Sequence, residues 1–354
     1  MKPLSGNKYL VMGSMSGTSL DGLDLAVVEF TRYFSKWQFE IVACGTTDYP
    51  EQWLKQLSIA HTLSGSELLI LHNRYGKYLG EQINHFLQVH QLKPILIASH
   101  GHTIFHQPEK SFTFQLGNGA SIVAETNIPV AADFRTGDVA LGGQGAPLVP
   151  AGDRLLFPDY EACLNLGGFA NISFEQTGNR IAYDICPVNF VLNDLAQQLG
   201  LPFDEDGKTG RSGNVYSELL EHLNQLPYYR QTAPKSLGRE WVDTFFKPLI
   251  SNYSITVPDI LRTCYEHIAI QIAGSLPVNG KVLITGGGAF NSFLISRLKK
   301  YTHCSLVIPQ SDLVNYKEAV IFAFLGLLRL LEETNCYASV TGASRDSSTG
   351  VVFL

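Results

Sequence analysis

Two stretches of this chain repeat one local design: an apolar run, a turn of small residues, and a second apolar run. The first runs from Tyr9–Met12 through Gly13, Ser14, Ser16, Gly17, Thr18 and Ser19 to Leu25–Phe30, with Asp21 and Asp24 between. The second is Glu161–Leu166, Gly167–Asn171 and Ile172–Phe174. Each reads as a hairpin around a turn of small residues, and the tip of the first is free of bulky side chains. Backbone N–H groups and hydroxyls at such a tip can approach an anion closely. The two carboxylates suit a magnesium ion, held directly or through water. The recurrence predicts a fold of two related halves, and 354 residues are enough for each half to bury its own core.

Between the hairpins, helical periodicity over Glu51–His61 and Gly65–Val89 alternates with short strands at Ile95–Ala98, Phe112–Leu116 and Val130–Arg135, the last ending on charged residues. A helix is expected to start in Gly117–Glu125. This is the pattern of an α/β domain. The Gly- and Pro-rich stretch Gly137–Asp153 is expected to cross between domains, giving residues 1–135, joined by 335–354, and residues 136–334. The second half continues with a strand Ile181–Tyr183 ending at Asp184 and a helix from Asn189. Helix Ile260–Ala273 and strand Lys281–Thr285 lead to the turn Gly286–Asn291. A last apolar helix is expected to begin at Glu318.

A net charge of −6, with no Lys/Arg cluster, argues against nucleic acid as a partner. The six cysteines are scattered without a CxxC pair, so neither a disulfide framework nor a cysteine zinc site is indicated. No signal-peptide pattern opens the chain, and the longest apolar run, Ala319–Leu328, is too short to span a bilayer. A reducing, cytoplasmic setting without membrane attachment is therefore expected.

Two common phosphate loops are missing. Gly274–Val282 lacks Walker A spacing, and Gly286–Asn291 has Asn where a dinucleotide fingerprint needs its last Gly. His100, His102 and His106 alternate, so on a strand they would share a face, and three histidines can hold zinc. Asp184, shortly before Pro187, suits either a general base or a helix N-cap.

Nine segments in order resemble the anhydro-N-acetylmuramic acid kinase family, within the sugar kinase/Hsp70/actin superfamily. They are Met15–Asp24, Ser99–Thr103, Ala132–Arg135, Gly142–Pro150, Asn165–Asn171, Asp184–Asn189, Lys235–Glu240, Gly286–Asn291 and Glu318–Ala323. The resemblance implies a two-domain actin-like ATPase (ribonuclease H-like) fold with a nucleotide cleft between the domains. It implies an ATP-dependent kinase that phosphorylates O6 of 1,6-anhydro-N-acetylmuramic acid while water opens the anhydro bridge at C1, in peptidoglycan recycling. Asp184 is then the base acting on that water. Gly17, Thr18, Ser19, Leu20, Asp21, Gly22, Leu23 and Asp24 bind ATP phosphates, with Asp21 and Asp24 on Mg2+. Gly167, Gly168 and Asn171 form the second phosphate turn, and Gly286, Gly287, Gly288 and Asn291 hold the adenosine. Ser99–Thr103 is a sugar-binding loop, and His100, Thr103, Arg135, Asn189 and Glu318 contact the amino sugar. The family also implies a homodimer.

Three segments depart from the family pattern. Asp184-Ile-Cys-Pro-Val-Asn189 stands for Asp-Thr-Gly-Pro-Gly/Ala-Asn, His102 for a usual Gln, and Val149-Pro-Ala-Gly-Asp153 for Val-Pro-Ala-Phe-His. A plain amino-sugar kinase on the same fold and an Hsp70-like ATPase module are the alternatives, with a zinc hydrolase on the histidines as a third.

Overall fold

The computed structural model describes residues 7–17 and 20–354. The chain forms two compact units, residues 1–156 with 316–354, and residues 157–315. These limits differ from the expected 1–135 with 335–354. Residues 136–156 form two short helices, Thr136–Ala140 and Val149–Leu156, that stay with the first unit. Asp138 is fully buried there, accepting Thr341 Oγ1 at 2.7 Å, and Asp153 pairs with Lys317 at 2.8 Å.

In the first unit, β1 (Lys8–Ser16), β2 (Leu23–Tyr33) and β3 (Lys36–Thr47) form an antiparallel meander. Strands β4 (Leu96–Gln107) and β6 (Val130–Ala132) add in parallel beyond β1. Strand β5 (Phe112–Leu116) pairs with β4, and the last strand, β12 (Val351–Phe353), closes the edge against β6.

The near-continuous apolar character of β2 follows from cover on both faces. On one face the helix Gly65–His90 packs Leu71, Tyr75, Leu79 and Ile83 with Met12, Leu25 and Ile97. Its start is fixed by a capping box between Ser64 and Glu67. On the other face lies the helix Ser311–Leu330, with Phe324 5.2 Å from Phe30. It comes so close that a Cβ on Gly13 would sit 1.9 Å from the Ala319 carbonyl oxygen. Glu318 is therefore mid-helix, not in a first turn as expected, because the polar start Ser311–Tyr316 is helical too.

The second unit repeats the plan. Strands β7 (Ala162–Leu166), β8 (Phe169–Gln176) and β9 (Asn179–Pro187) form the meander, and β10 (Lys281–Thr285) and β11 (Ser305–Val307) add in parallel beyond β7. The order β11-β10-β7-β8-β9 matches β6-β4-β1-β2-β3 of the first sheet. Two ribonuclease H-like sheets of equal topology make this an actin-like ATPase fold, as the repeated hairpin predicted. The helix Val257–Ser275 places Cys264, Ile268 and Ile272 in this unit's core.

Candidate active site

Ligands of sheets with parallel strands gather beyond the strands' carboxyl ends, and the sequence-predicted residues gather there in each unit. In the second sheet, Thr285, Asn165, Asn171 and Asp184 form one level row across β10, β7, β8 and β9. The bends Gly167–Gly168 and Gly286–Gly288 rise from the same edge. Gly286 needs its glycine: φ is 81°, and a Cβ would lie 2.7 Å from Asn165 Oδ1 and 2.8 Å from the Leu166 backbone. Gly168 and Gly287 present exposed backbone with nothing nearer than 3.8 Å to an added Cβ. Such bare, open backbone fits a phosphate or nucleoside.

Asp184 lies within β9, three residues before its end, because the ladder to β8 continues to Phe169↔Pro187. It is not a helix cap; the helix Asn189–Gln197 follows Val188 without any side-chain cap. Its backbone N–H donates to Lys235 O at 3.3 Å, its carbonyl accepts from Tyr228 Oη at 2.6 Å, and Oδ2 accepts from Leu237 N–H at 2.9 Å. Burial pushes its carboxyl above the ordinary range, against the Leu237 hydrogen bond. A half-buried, raised and fixed carboxylate is equipped to take a proton. The adjoining Cys186 is fully buried and its thiol is pushed up by that burial.

Asn189 donates to Leu166 O at 3.4 Å and flanks Gly287 and Gly288, so it stands with the glycine bends. Asn291 has its Oδ1 on the Leu294 N–H, capping the helix Ser292–Tyr301, and its Nδ2 on Tyr265 Oη. Its amide therefore holds the bend in place.

In the first unit, Ser14↔Ser99, Ser16↔His102 and Ser99↔Ala132 put the ends of β1, β4 and β6 level. Thr18 and Ser19 lie outside the described residues. Leu20 N–H donates to Gly17 O at 3.2 Å within the turn, and Gly22 and Leu23 are buried. Asp21 is exposed, whereas Asp24 is half-buried and accepts Thr46 Oγ1 at 2.6 Å. Burial raises the Asp24 carboxyl; the Thr46 hydrogen bond opposes this and the charge of Asp21 adds to it. Two mutually repelling oxygen donors fit a hard cation that keeps water and phosphate as its other ligands.

The segment Ser99–Thr103 is strand, not the expected loop, since β4 runs on to Gln107 and pairs with β5. His100 Nδ1 lies 2.9 Å from Gly101 O and therefore carries the proton, leaving Nε2 to accept from Arg135 Nε at 3.1 Å and Nη2 at 2.9 Å. Arg135 Nη1 donates to Gly145 O at 2.7 Å. Arg135 is thus aimed by a neutral histidine and a carbonyl, and its charge faces Glu318. Glu318 is exposed by area, yet the protein packed around its carboxyl raises it, while Arg135 and Lys317 act against that. Thr103 is half-buried, with no hydrogen bond to its hydroxyl among the described residues.

Among the described residues the three histidines do not group into a zinc site. Both ring nitrogens of His100 are occupied, by Gly101 O and Arg135, while His102 Nδ1 lies 3.0 Å from Ser16 Oγ and His106 Nδ1 3.2 Å from Thr113 Oγ1. Among the described residues no group of three His, Cys, Asp or Glu could hold a metal. Reading the sequence for motifs missed the groups behind the site: Thr46 on Asp24, Tyr49 and Tyr75 behind Ser16 and His102, and Tyr228 and Leu237 on Asp184. Only Leu237 carried a signal, as part of the segment Lys235–Glu240.

The family model for anhydro-N-acetylmuramic acid kinase matches residues 9–354. The anhydro-N-acetylmuramic acid kinase of Vibrio parahaemolyticus is 34% identical over 382 residues, covering 97% of this chain and 98% of its own. That of Shewanella halifaxensis is 36% identical over 366 residues, covering 97% and 98%. A ROK family glucokinase from Streptomyces griseus, solved with glucose and AMPPNP, aligns over 90% of this chain with 11% identity and a TM-score of 0.42. Among the described residues no helix is long and apolar enough to cross a membrane.

Proposed function

The chain belongs to the anhydro-N-acetylmuramic acid kinase family, and from that premise we propose how its residues divide the reaction. It is a sugar kinase that uses ATP to phosphorylate O6 of 1,6-anhydro-N-acetylmuramic acid. Water adds at C1, the anhydro bridge opens, and N-acetylmuramic acid 6-phosphate leaves for peptidoglycan recycling. The observation that carries the residue assignment is the raised, half-buried carboxylate of Asp184 in one row with Asn171, Asn165 and Thr285, at the sheet edge from which two open glycine bends rise.

Asp184 takes the proton of the attacking water at Oδ1, while Leu237 N–H holds Oδ2 and fixes the carboxylate plane. Gly167, Gly168 and Asn171 receive phosphate, and Gly286, Gly287 and Gly288 the adenosine, with Asn291 holding that bend. Gly17 to Asp24 bind phosphate in the other unit. Asp21 and Asp24 would hold Mg2+, which when bound neutralises charge on the transferring phosphoryl group. His100, Thr103, Arg135 and Glu318 bind the sugar, and Asn189 supports the bends. Arg135, preset by His100 and Gly145, suits a carboxylate such as the lactyl group. Membership in the family supports a cytoplasmic homodimer.

The test is product analysis with ATP, Mg2+ and the anhydro sugar in 18O-labelled water. The expected product carries one added phosphoryl group and the label at C1. Phosphorylation of ordinary amino sugars without label would indicate a plain amino-sugar kinase instead. ATP turnover indifferent to sugar would indicate an Hsp70-like module.

A further inference from the structure

The loop that fixes Asp184 also carries a lysine, whose ammonium lies over two tyrosine rings that adjoin Asp184. Lys235 O accepts the Asp184 N–H at 3.3 Å, and two residues on, Leu237 N–H reaches Asp184 Oδ2. The Lys235 ammonium lies 4.7 Å from the centre of the Tyr228 ring and 5.4 Å from that of Tyr183. Tyr183 precedes Asp184, and Tyr228 is the residue whose hydroxyl holds the Asp184 carbonyl. Among the described residues the ammonium's one hydrogen bond is long, 3.4 Å to Tyr228 O. It pairs with no carboxylate among the described residues, whereas Lys8, Lys208, Lys247 and Lys317 each do.

Lys235 is half-buried, and burial depresses its ammonium. A partly desolvated cation without a counter-charge is unfavourable, and ring faces offset only part of that cost. Ring faces also leave N–H donors unused, since an ammonium has three. The cage therefore holds a positive charge ready for an anion that arrives with the reactants.

Building on the kinase reading above, we propose that Lys235 binds an anionic oxygen of the bound reactants next to Asp184. Two sources share this chemistry: the transferring phosphoryl group and the carboxylate of the sugar.

Two measurements test it. In the first, the wild-type protein is treated with an amine-acylating reagent, and modification of Lys235 is followed by peptide mass analysis. The treatment is repeated with Mg2+–AMPPNP, with N-acetylmuramic acid, and with N-acetylglucosamine as the neutral control. Protection of Lys235 by an anionic ligand and not by N-acetylglucosamine is expected; protection by neither anionic ligand overturns the proposal.

In the second, K235M and K235R are assayed on 1,6-anhydro-N-acetylmuramic acid and on 1,6-anhydro-N-acetylglucosamine. If the carboxylate is the partner, K235M raises KM about tenfold or more for the muramic sugar alone, the loss expected for one charge-assisted contact. If the phosphoryl group is the partner, kcat falls on both sugars. K235R regains part of either loss, which a purely structural role would not give. Unchanged kcat and KM in K235M overturn the proposal. A wild-type enzyme without turnover on any sugar would instead sink the kinase reading, and the acylation result would still decide Lys235.

Discussion

Leu237 aims its backbone N–H at Oδ2 of Asp184 from 2.9 Å, although 53 residues separate them in the chain. One oxygen is thereby occupied and the other left to act. Asp184→Asn keeps the shape and the acceptor for Leu237 but removes the base. Turnover should fall by about 10²–10⁴-fold, with ATP binding nearly intact. Because burial raises the Asp184 carboxyl, the acid limb of the wild-type pH–rate profile should lie above the ~4 of an exposed aspartate. The ionised form is the disfavoured one in the fold, so the variant should melt at the same or a higher temperature at neutral pH. Steady-state kinetics and a thermal melt decide; normal turnover in the variant would remove Asp184 as the base.

The buried histidines should make the fold acid-sensitive before its carboxylates do. Burial lowers His102 to about 4 and His267 to about 3. Their ring partners are neutral: Ser16 for His102, and Asn224 and Tyr229 for His267. The unfolded chain binds these protons near pH 6.5 and the native chain does not, so stability is full above that value and falls as pH drops towards 4. His102 alone accounts for about 3 kcal/mol of that loss. Denaturant unfolding at pH 7.5, 6 and 5 measures it; a flat profile contradicts the neutral buried state.

Asp138 ties residues 136–156 to the end of the chain. Its carboxylate is fully buried and accepts Gly145 N–H at 2.7 Å, Thr341 Oγ1 at 2.7 Å and Cys336 Sγ at 3.1 Å. Asp138→Ala orphans these donors and should cost on the order of 3–5 kcal/mol. Gly145 carries the carbonyl that receives Arg135, so sugar KM should rise as well. Chemical denaturation and substrate titration report the two effects separately.

Two glycines should respond in opposite directions to alanine. At Gly13 the new Cβ meets the Ala319 carbonyl oxygen at 1.9 Å, so one sheet face must part from its helix. The cost should exceed the ~1–3 kcal/mol of ordinary overpacking. Gly274 is exposed in the helix Val257–Ser275, with nothing within 4 Å of an added Cβ. Alanine there should stabilise by about 0.5–1 kcal/mol. Matched thermal melts of the two variants test both signs.

Local pattern carried much of the site. The bends at Gly17, Gly167 and Gly286 announce themselves by composition, and the paired hairpins foretell two sheets of one topology. Where local reading failed, pairing with a neighbour had prevailed. Ser99–Thr103 has the small, polar look of a loop, yet β5 and β1 supply ladder partners that keep it extended. Asp184 looks like a strand end before a proline, yet β8 carries the strand through to Pro187. Glu318 looks like a helix start because apolar residues follow it, yet the polar turns before it are helical too.

What the linear chain determined by itself is therefore the chemistry on offer and its approximate position: glycine bends, two acids at the first hairpin, a carboxylate near residue 184. Tertiary structure alone decided how that chemistry is tuned. The tautomer of His100, the aim of Arg135 and the raised carboxyl of Asp184 arise from His100–Arg135–Gly145 and Asp184–Leu237–Tyr228. Turn and strand preferences act over neighbouring residues and leave a periodic trace. Desolvation and hydrogen bonding depend on groups distant in the chain, and these leave none.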